Sequence, residues 1–238
     1  MEKISKRIYY LKHSVETDRP VLGYVKGDKY SLMIDAGNSK AHAMLFYDEI
    51  MELGLPRPDF VGITHWHWDH CYGLWAVDAP SIACRLTNEY LHKMSQWKWT
   101  NEAMKKRLET CEDIEFCDIH IRKEYPDRDE IVVKAADIIF EDELTLDLGN
   151  VTCELIRVGG SHSDDCVVFF IPEEKVLFVG DANWKDMHHG EERFHKEKLE
   201  KLIEDLKKLD FEICLPGHRE PLTRNEIFAF WEDELNNL

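Results

Sequence analysis

The stretch THWHWDHCYG, Thr64 to Gly73, packs three histidines, an aspartate and two tryptophans into ten residues. It leaves the apolar run FVGIT, which ends directly before His65 and reads as a strand. Residues i and i+2 of an extended chain project to the same side, so His65 and His67 can grip one metal ion as the chain leaves that strand. Asp69 and His70 begin the turn into the next segment and can face a neighbouring point. Imidazole and carboxylate groups suit zinc, iron or manganese, and four of them at this spacing can serve two ions.

Later strand ends supply what this cluster lacks. RVGGSHSDD places His162 after a strand and a glycine pair, KVLFVGDAN places Asp181 after another, and FEICLPGH places His218 after a third. Each apolar run ends in glycine followed within two residues by one ligand-type side chain. The glycine lets the backbone turn sharply or approach a site closely. Taken together, the three predict a convergent site.

Composition bounds the function. The 238 residues, 44% of them hydrophobic, suffice for a globular core. No run of about 18 apolar residues occurs, and MEKISKRIYYLKHS has no apolar stretch like that of a signal peptide, so the expectation is a cytoplasmic protein with no membrane partner. Seven scattered cysteines without a C-x-x-C pair argue against a disulfide framework or a zinc-thiolate site and read mostly as small buried hydrophobes. A net charge of −17 repels a phosphate backbone, which disfavours nucleic-acid partners.

Strand-like runs recur along the chain, with helical patterns between them. Ser39 to Leu53 has apolar positions at helical spacing, a capping serine and Gly54 beyond its end. Phe194 to Leu209 aligns Leu199, Leu202, Ile203, Leu206 and Leu209 on one face. Thr223 to Glu226 fits a capping box before Ile227, Phe228 and Trp231. The pattern predicts an α/β or α+β sandwich in one domain, 1–238, with helices outside. The segment from Arg85 to Asp129, charged, helical in pattern and carrying Trp97 and Trp99, reads as a helical insertion. It is expected either to sit as a surface pair pinned by its tryptophans or to cover the site as a lid.

The order HxHxDH, then His after a Gly-rich turn, then GD, then PGH resembles the metallo-β-lactamase-fold hydrolase superfamily, from Asp35 to about Pro221. The resemblance implies a four-layer αββα sandwich with two metal ions at one edge between the sheets. It further implies that His65, His67 and His162 hold one ion, that Asp69, His70 and His218 hold the other, and that Asp181 bridges them. Asp35 would support the histidine loop from behind, although a plain strand-end turn is an equal reading. A bridging hydroxide would be the nucleophile, since coordination lowers the pKa of water from 15.7 toward roughly 7. Asp69 would orient it and carry a proton to the leaving atom.

Departures narrow the branch. His67 stands where flavo-diiron proteins have glutamate, and Asp181 where the main class of secreted zinc β-lactamases has cysteine. Asp181 thus resembles glyoxalase II and lactonases, yet only 20 residues follow His218, too few for a glutathione-binding helical domain. The expected function is hydrolysis of a small-molecule ester, thioester or lactone with two divalent ions, zinc first and iron or manganese as alternatives. Rival readings are a small-nucleotide phosphodiesterase, a mononuclear-iron sulfur dioxygenase, and a silent metal-binding scaffold that uses the insertion for partner binding or as a homodimer contact. Around the site, Trp66, Trp68 and Trp184 read as wedges that stiffen the loop, with a pocket-lining role as the alternative. Lys185 reads as a solvated loop lysine, with a carboxylate contact as the alternative, and His188 and His189 as paired surface histidines, with a place facing the site as the alternative. Tyr72 reads equally as a hydroxyl beside the second ion and as a core tyrosine.

Overall fold

A computed structural model describes residues 1–238. The first half of the chain forms strands β1 (Glu2–Lys3), β2 (Ile8–Leu11), β3 (Leu22–Lys26) and β4 (Ser31–Ile34), helix α1 (Lys40–Glu52), strand β5 (Phe60–Gly62), the single-turn α2 (Trp68–Cys71) and strand β6 (Ser81–Cys84). Helices α3 (Arg85–Met94), α4 (Asn101–Glu109) and α5 (Glu115–Glu124) then lead to β7 (Ile138–Phe140). The second half contributes β8 (Glu143–Asp147), β9 (Thr152–Arg157), β10 (Val167–Ile171), β11 (Val176–Gly180), α6 (Lys196–Lys207), β12 (Ile213–Pro216), β13 (Leu222–Thr223) and α7 (Arg224–Asn236).

The strands form a seven-stranded sheet in the order β1 to β7 and a six-stranded sheet in the order β13-β12-β11-β10-β9-β8. The first is antiparallel through β4 and parallel from β4 to β7, where helices make the crossovers. The second is antiparallel except for the β11/β12 pair, which α6 connects.

Three apolar clusters define the layers, and strand alternation explains them. On β10, Val167, Phe169 and Ile171 join Ile8, Val25, Leu32 and Ile34 of the other sheet in the central layer. The intervening Val168 and Phe170 face outward against Leu199, Leu202 and Ile203 of α6 and Ile227 and Trp231 of α7. Met33, whose neighbours Leu32 and Ile34 point to the central layer, faces Phe46 and Ile50 of α1 together with residues of α3 and α5. Strands with helices on one face and a sheet on the other are apolar throughout, which is why VVFFI and VLFVG are fully buried. The architecture is therefore the α-β-β-α sandwich that the sequence predicts.

Local signals hold where they are strong. Ser39 caps α1 by accepting from the His42 amide, and Thr223 with Glu226 forms the expected capping box of α7. The 85–129 segment holds three helices rather than a pair, because Thr100 caps a new helix after a turn at Ser95 and Gln96. Its tryptophans do pin it down. The Arg107 guanidinium, buried within α4, lies 4.4 Å from the Trp97 ring centre and 4.7 Å from that of Trp99.

The two sheets meet closely at Gly62, where an added Cβ would lie 2.5 Å from Phe169 Cε1. The phenylalanine of one sheet fills the space that the glycine of the other leaves. Gly62→Ala is expected to lower unfolding stability by about 1–3 kcal/mol through overpacking. In urea titrations the double variant with Phe169→Leu should lose less than the sum of the two single changes, since the smaller side chain relieves the clash.

Candidate metal centre

Every ligand-type residue singled out in the sequence sits at the same end of the sandwich. His65 and His67 follow β5, and Asp69 and His70 lie in α2, so a short helix rather than an open turn aims the second pair. His162 follows β9 through Gly159 and Gly160, both with positive φ, Asp181 directly follows β11, and His218 follows β12 and Gly217. A Cβ at Gly217 would stand 2.1 Å from Asp181 Oδ1, so only glycine lets this backbone approach the carboxylate.

The seven side chains fall into two groups whose ligand atoms lie within 4.8 Å of one another: His65, His67 and His162, and Asp69, His70, Asp181 and His218. Asp181 stands between them, with Oδ2 3.6 Å from His162 Nε2 and 3.4 Å from His218 Nε2. His218 Nε2 lies 3.0 Å from Asp69 Oδ2.

Hydrogen bonds orient the rings. Asp35, with φ of 60° just after β4, accepts from the Thr64 amide at 2.8 Å, from Thr64 Oγ1 at 2.9 Å and from His70 Nδ1 at 2.8 Å. It supports the histidine loop rather than merely ending a strand. His162 Nδ1 donates to the Lys185 carbonyl at 2.8 Å. These bonds occupy Nδ1 of each ring and turn Nε2 toward the other ligand-type side chains, His162 Nε2 lying 2.8 Å from His67 Nδ1.

The residues fit divalent ions. His65 Nε2 is buried with no hydrogen-bond partner, a costly state that a bound cation removes, and His70 Nε2 faces the Asp69 carboxylate at 3.1 Å. Burial, followed by the neighbouring histidines, pushes His65 and His67 well below the ordinary imidazole range, and burial also lowers His162. Three neutral imidazoles are the ligating form. The other group has the opposite balance. Burial opposes charge on His218, but Asp181 and Asp69 raise it to about 9, and Asp69, Asp35 and Asp181 raise His70 well above its usual value against the same burial. The acidic balance of this group suits a cation.

A cavity of about 390 Å³ opens on both groups. Its wall includes Ile114, Phe116, Cys117 and His120 from the inserted segment, so α5 and the turn before it flank the site as well as being pinned to the body. Trp184 lines the cavity, stacked on Phe230 at 6.3 Å. Trp66 and Trp68 are wedges: Trp66 stacks on Tyr90 at 4.6 Å and donates to Ser163, and Trp68 is buried. Lys185 does not line the cavity, and its Nζ approaches Glu234 at 3.9 Å.

Of the two readings of Tyr72 the core one holds, and the surface reading of His188 needs correction. Tyr72 is 1% exposed, turned into the layer against the inserted helices with its hydroxyl on Met94 Sδ at 3.6 Å, because the α2 turn carries it away from the ligands. His188 is not a surface partner of His189. Asp186 accepts from both their amides, which turns His189 outward and lays the His188 ring on His67 at 4.5 Å.

Three site residues escaped the sequence reading. Asp165 lies fully buried and accepts from the Trp66 amide at 2.9 Å and Thr87 Oγ1 at 2.8 Å, tying the histidine loop to α3. The doubled acid in SHSDD is its only local sign. Asp18 lines the cavity 3.6 Å from His218 Nδ1, and burial together with Asp69 raises its carboxyl to about 7. Arg219 follows His218 into the same cavity, and its signal is a cation beside a strand-end ligand in an acidic chain.

Residues 19–218 match the sequence profile of the metallo-beta-lactamase superfamily. Among solved structures, the chain is similar to a metallo-beta-lactamase from Pontibacter korlensis (19% identity, TM-score 0.65, covering 99% of this chain and 98% of that one). It is also similar to DIM-1 metallo-beta-lactamase (18%, TM-score 0.66, covering 99% and 96%). A third likeness is to the inverting sec-alkylsulfatase Pisa1 from Pseudomonas sp. (14%, TM-score 0.69); there the chain covers 98% of its own length and 40% of the other. At these identities the likeness is one of fold. No curated protein matches the chain.

Because ligands must shed protons to bind a cation, zinc affinity is expected to rise with pH. Below about 9, His218 alone should contribute up to tenfold per pH unit. Chelator competition between pH 6 and 9 measures the slope, which should fall in His218→Ala.

Proposed function

Because the chain belongs to the metallo-beta-lactamase superfamily and is a metal-dependent hydrolase, we propose that it cleaves a small ester, thioester or lactone with two divalent ions, zinc first. The observation that carries this reading is the pairing of a neutral three-histidine group with an acidic four-residue group across Asp181. His65, His67 and His162 would hold one ion and Asp69, His70 and His218 the other, with Asp181 shared. When bound, the ions supply a water acidified toward neutral pH and an electrophile for the substrate oxygen.

The chain's own groups do the rest. Asp35 and the Lys185 carbonyl hold the imidazoles of His70 and His162 in one tautomer. Asp69, at the cavity wall, would orient the attacking water and pass its proton to the leaving atom. Val15, Ile114, Phe116, Trp184 and Met187 give the cavity an apolar side, which excludes water and suits an apolar substrate portion. Asp18, Asp69 and Asp181 around the reacting end favour an uncharged carbonyl over a phosphodiester there.

No helix is long and apolar enough to cross a membrane. All seven cysteines are unpaired and six are buried, which suits a reducing cytoplasm.

Elemental analysis followed by a panel of lactones, thioesters, esters and phosphodiesters tests the proposal. Two equivalents of metal per chain and turnover of a carbonyl substrate are expected. One iron with oxygen consumption would sink it. Asp181→Ala and His67→Ala should each lower kcat/KM by about 10³-fold or more. Their far-ultraviolet circular dichroism should remain unchanged.

A further inference from the structure

Arg219 is out of keeping with its surroundings. Alone among the arginines, it makes neither a hydrogen bond nor an ion pair within the chain. Arg107, Arg128, Arg193 and Arg224 also lack a carboxylate partner, but each donates to a carbonyl oxygen, so Arg219 is the one whose N–H groups are unused. It is also held still: the guanidinium carbon lies 4.5 Å from the Trp184 ring centre and 4.7 Å from that of Phe230, two rings stacked within 8° of parallel. Stacking on aromatic faces fixes the plane of a guanidinium without using its N–H groups. Those donors remain available at the wall of the 390 Å³ cavity, where Arg219 is the single lysine or arginine.

The acids of that cavity do not take its place as partners. Asp69 and Asp181 face the metal ligands, Asp18 faces His218, and Glu192 lies beyond ion-pair distance of the guanidinium. The apolar part of the lining includes Val15, Phe116, Trp184 and Met187, of which Trp184 carries the guanidinium, and Val15 and Phe116 are themselves exposed. The cavity therefore has a metal-binding end, an apolar side, and a fixed cation one residue beyond His218.

We propose that Arg219 is a specificity-determining residue that binds an oxyanion on the substrate, so that the substrate is an ester, thioester or lactone with an apolar chain ending in a carboxylate or similar anion. This rests on the hydrolase reading above. The uncharged carbonyl lies at the ligand cluster and the anion pairs with the guanidinium's N–H groups, the geometry in which an arginine recognises carboxylate best.

The test compares phenyl hexanoate with the monophenyl ester of adipic acid, which has the same chain length and a terminal carboxylate. With the metal-loaded protein, kcat/KM for the charged ester is expected to exceed that for the neutral one by about 10- to 100-fold, the worth of a hydrogen-bonded ion pair. Arg219→Met, which keeps an apolar side chain against the rings, should bring the ratio close to one, and Arg219→Lys should restore part of it. The margin should also shrink as salt is raised. A wild-type ratio at or below one, or a ratio that survives in Arg219→Met, overturns the proposal, because a purely structural arginine would alter both esters alike. If neither ester is hydrolysed, the carbonyl-hydrolase reading fails while the anion site is still decided by calorimetry with hexanesulfonate. About tenfold weaker binding in Arg219→Met supports the site, and an unchanged Kd refutes it.

Discussion

The carboxylate of Asp35 is the constraint on which the metal centre depends. It receives the Thr64 amide, the Thr64 hydroxyl and His70 Nδ1 together, so it joins the ends of β4 and β5 to α2 in one buried knot. A carboxylate with three donors is a satisfied buried charge, and its geometry leaves little choice to the ring that it holds. His70 must then present Nε2 to the neighbouring acids. The left-handed backbone at Asp35 is strain that this bonding offsets.

The second sheet supplies the other half by the same device used differently. Its strands are buried on both faces and cannot slip by one residue without turning a phenylalanine into the wrong layer. Their register therefore fixes where each strand ends, and the strand-end glycines let His162, Asp181 and His218 turn at once toward the first sheet. Packing across the sandwich, as at Gly62 and Phe169, sets the distance between the two sets of ligands. Ligand geometry is thus a property of the central layer as much as of the loops.

Charge is distributed with the same economy. Three imidazoles are kept neutral by burial on one side, while two carboxylates and two raised-pKa histidines balance one another on the other. Such a pair of environments favours cations without an excess of fixed negative charge at the three-histidine group. Around it the loop from Asn183 to His195 is tied by one acid, Asp186, which holds His188, His189 and His195.

What could be read from the chain alone was governed by local rules. Apolar alternation, glycine at strand ends, the Ser39 and Thr223 caps and the tight HxHxDH spacing each depend on residues a few positions apart, so the layers and the seven ligand types were legible. Tyr72, His188, Trp184 and Arg219 were not, because their roles depend on what faces them across space. Tyr72 is in the core since the α2 turn points it at the inserted helices, and His188 is inside since Asp186 turns the chain there. Arg219 lines a cavity wall since α7 places Phe230 beside Trp184. A residue's type fixes the chemistry it can do, and only packing between distant segments decides whether it is buried, paired or left free to do it.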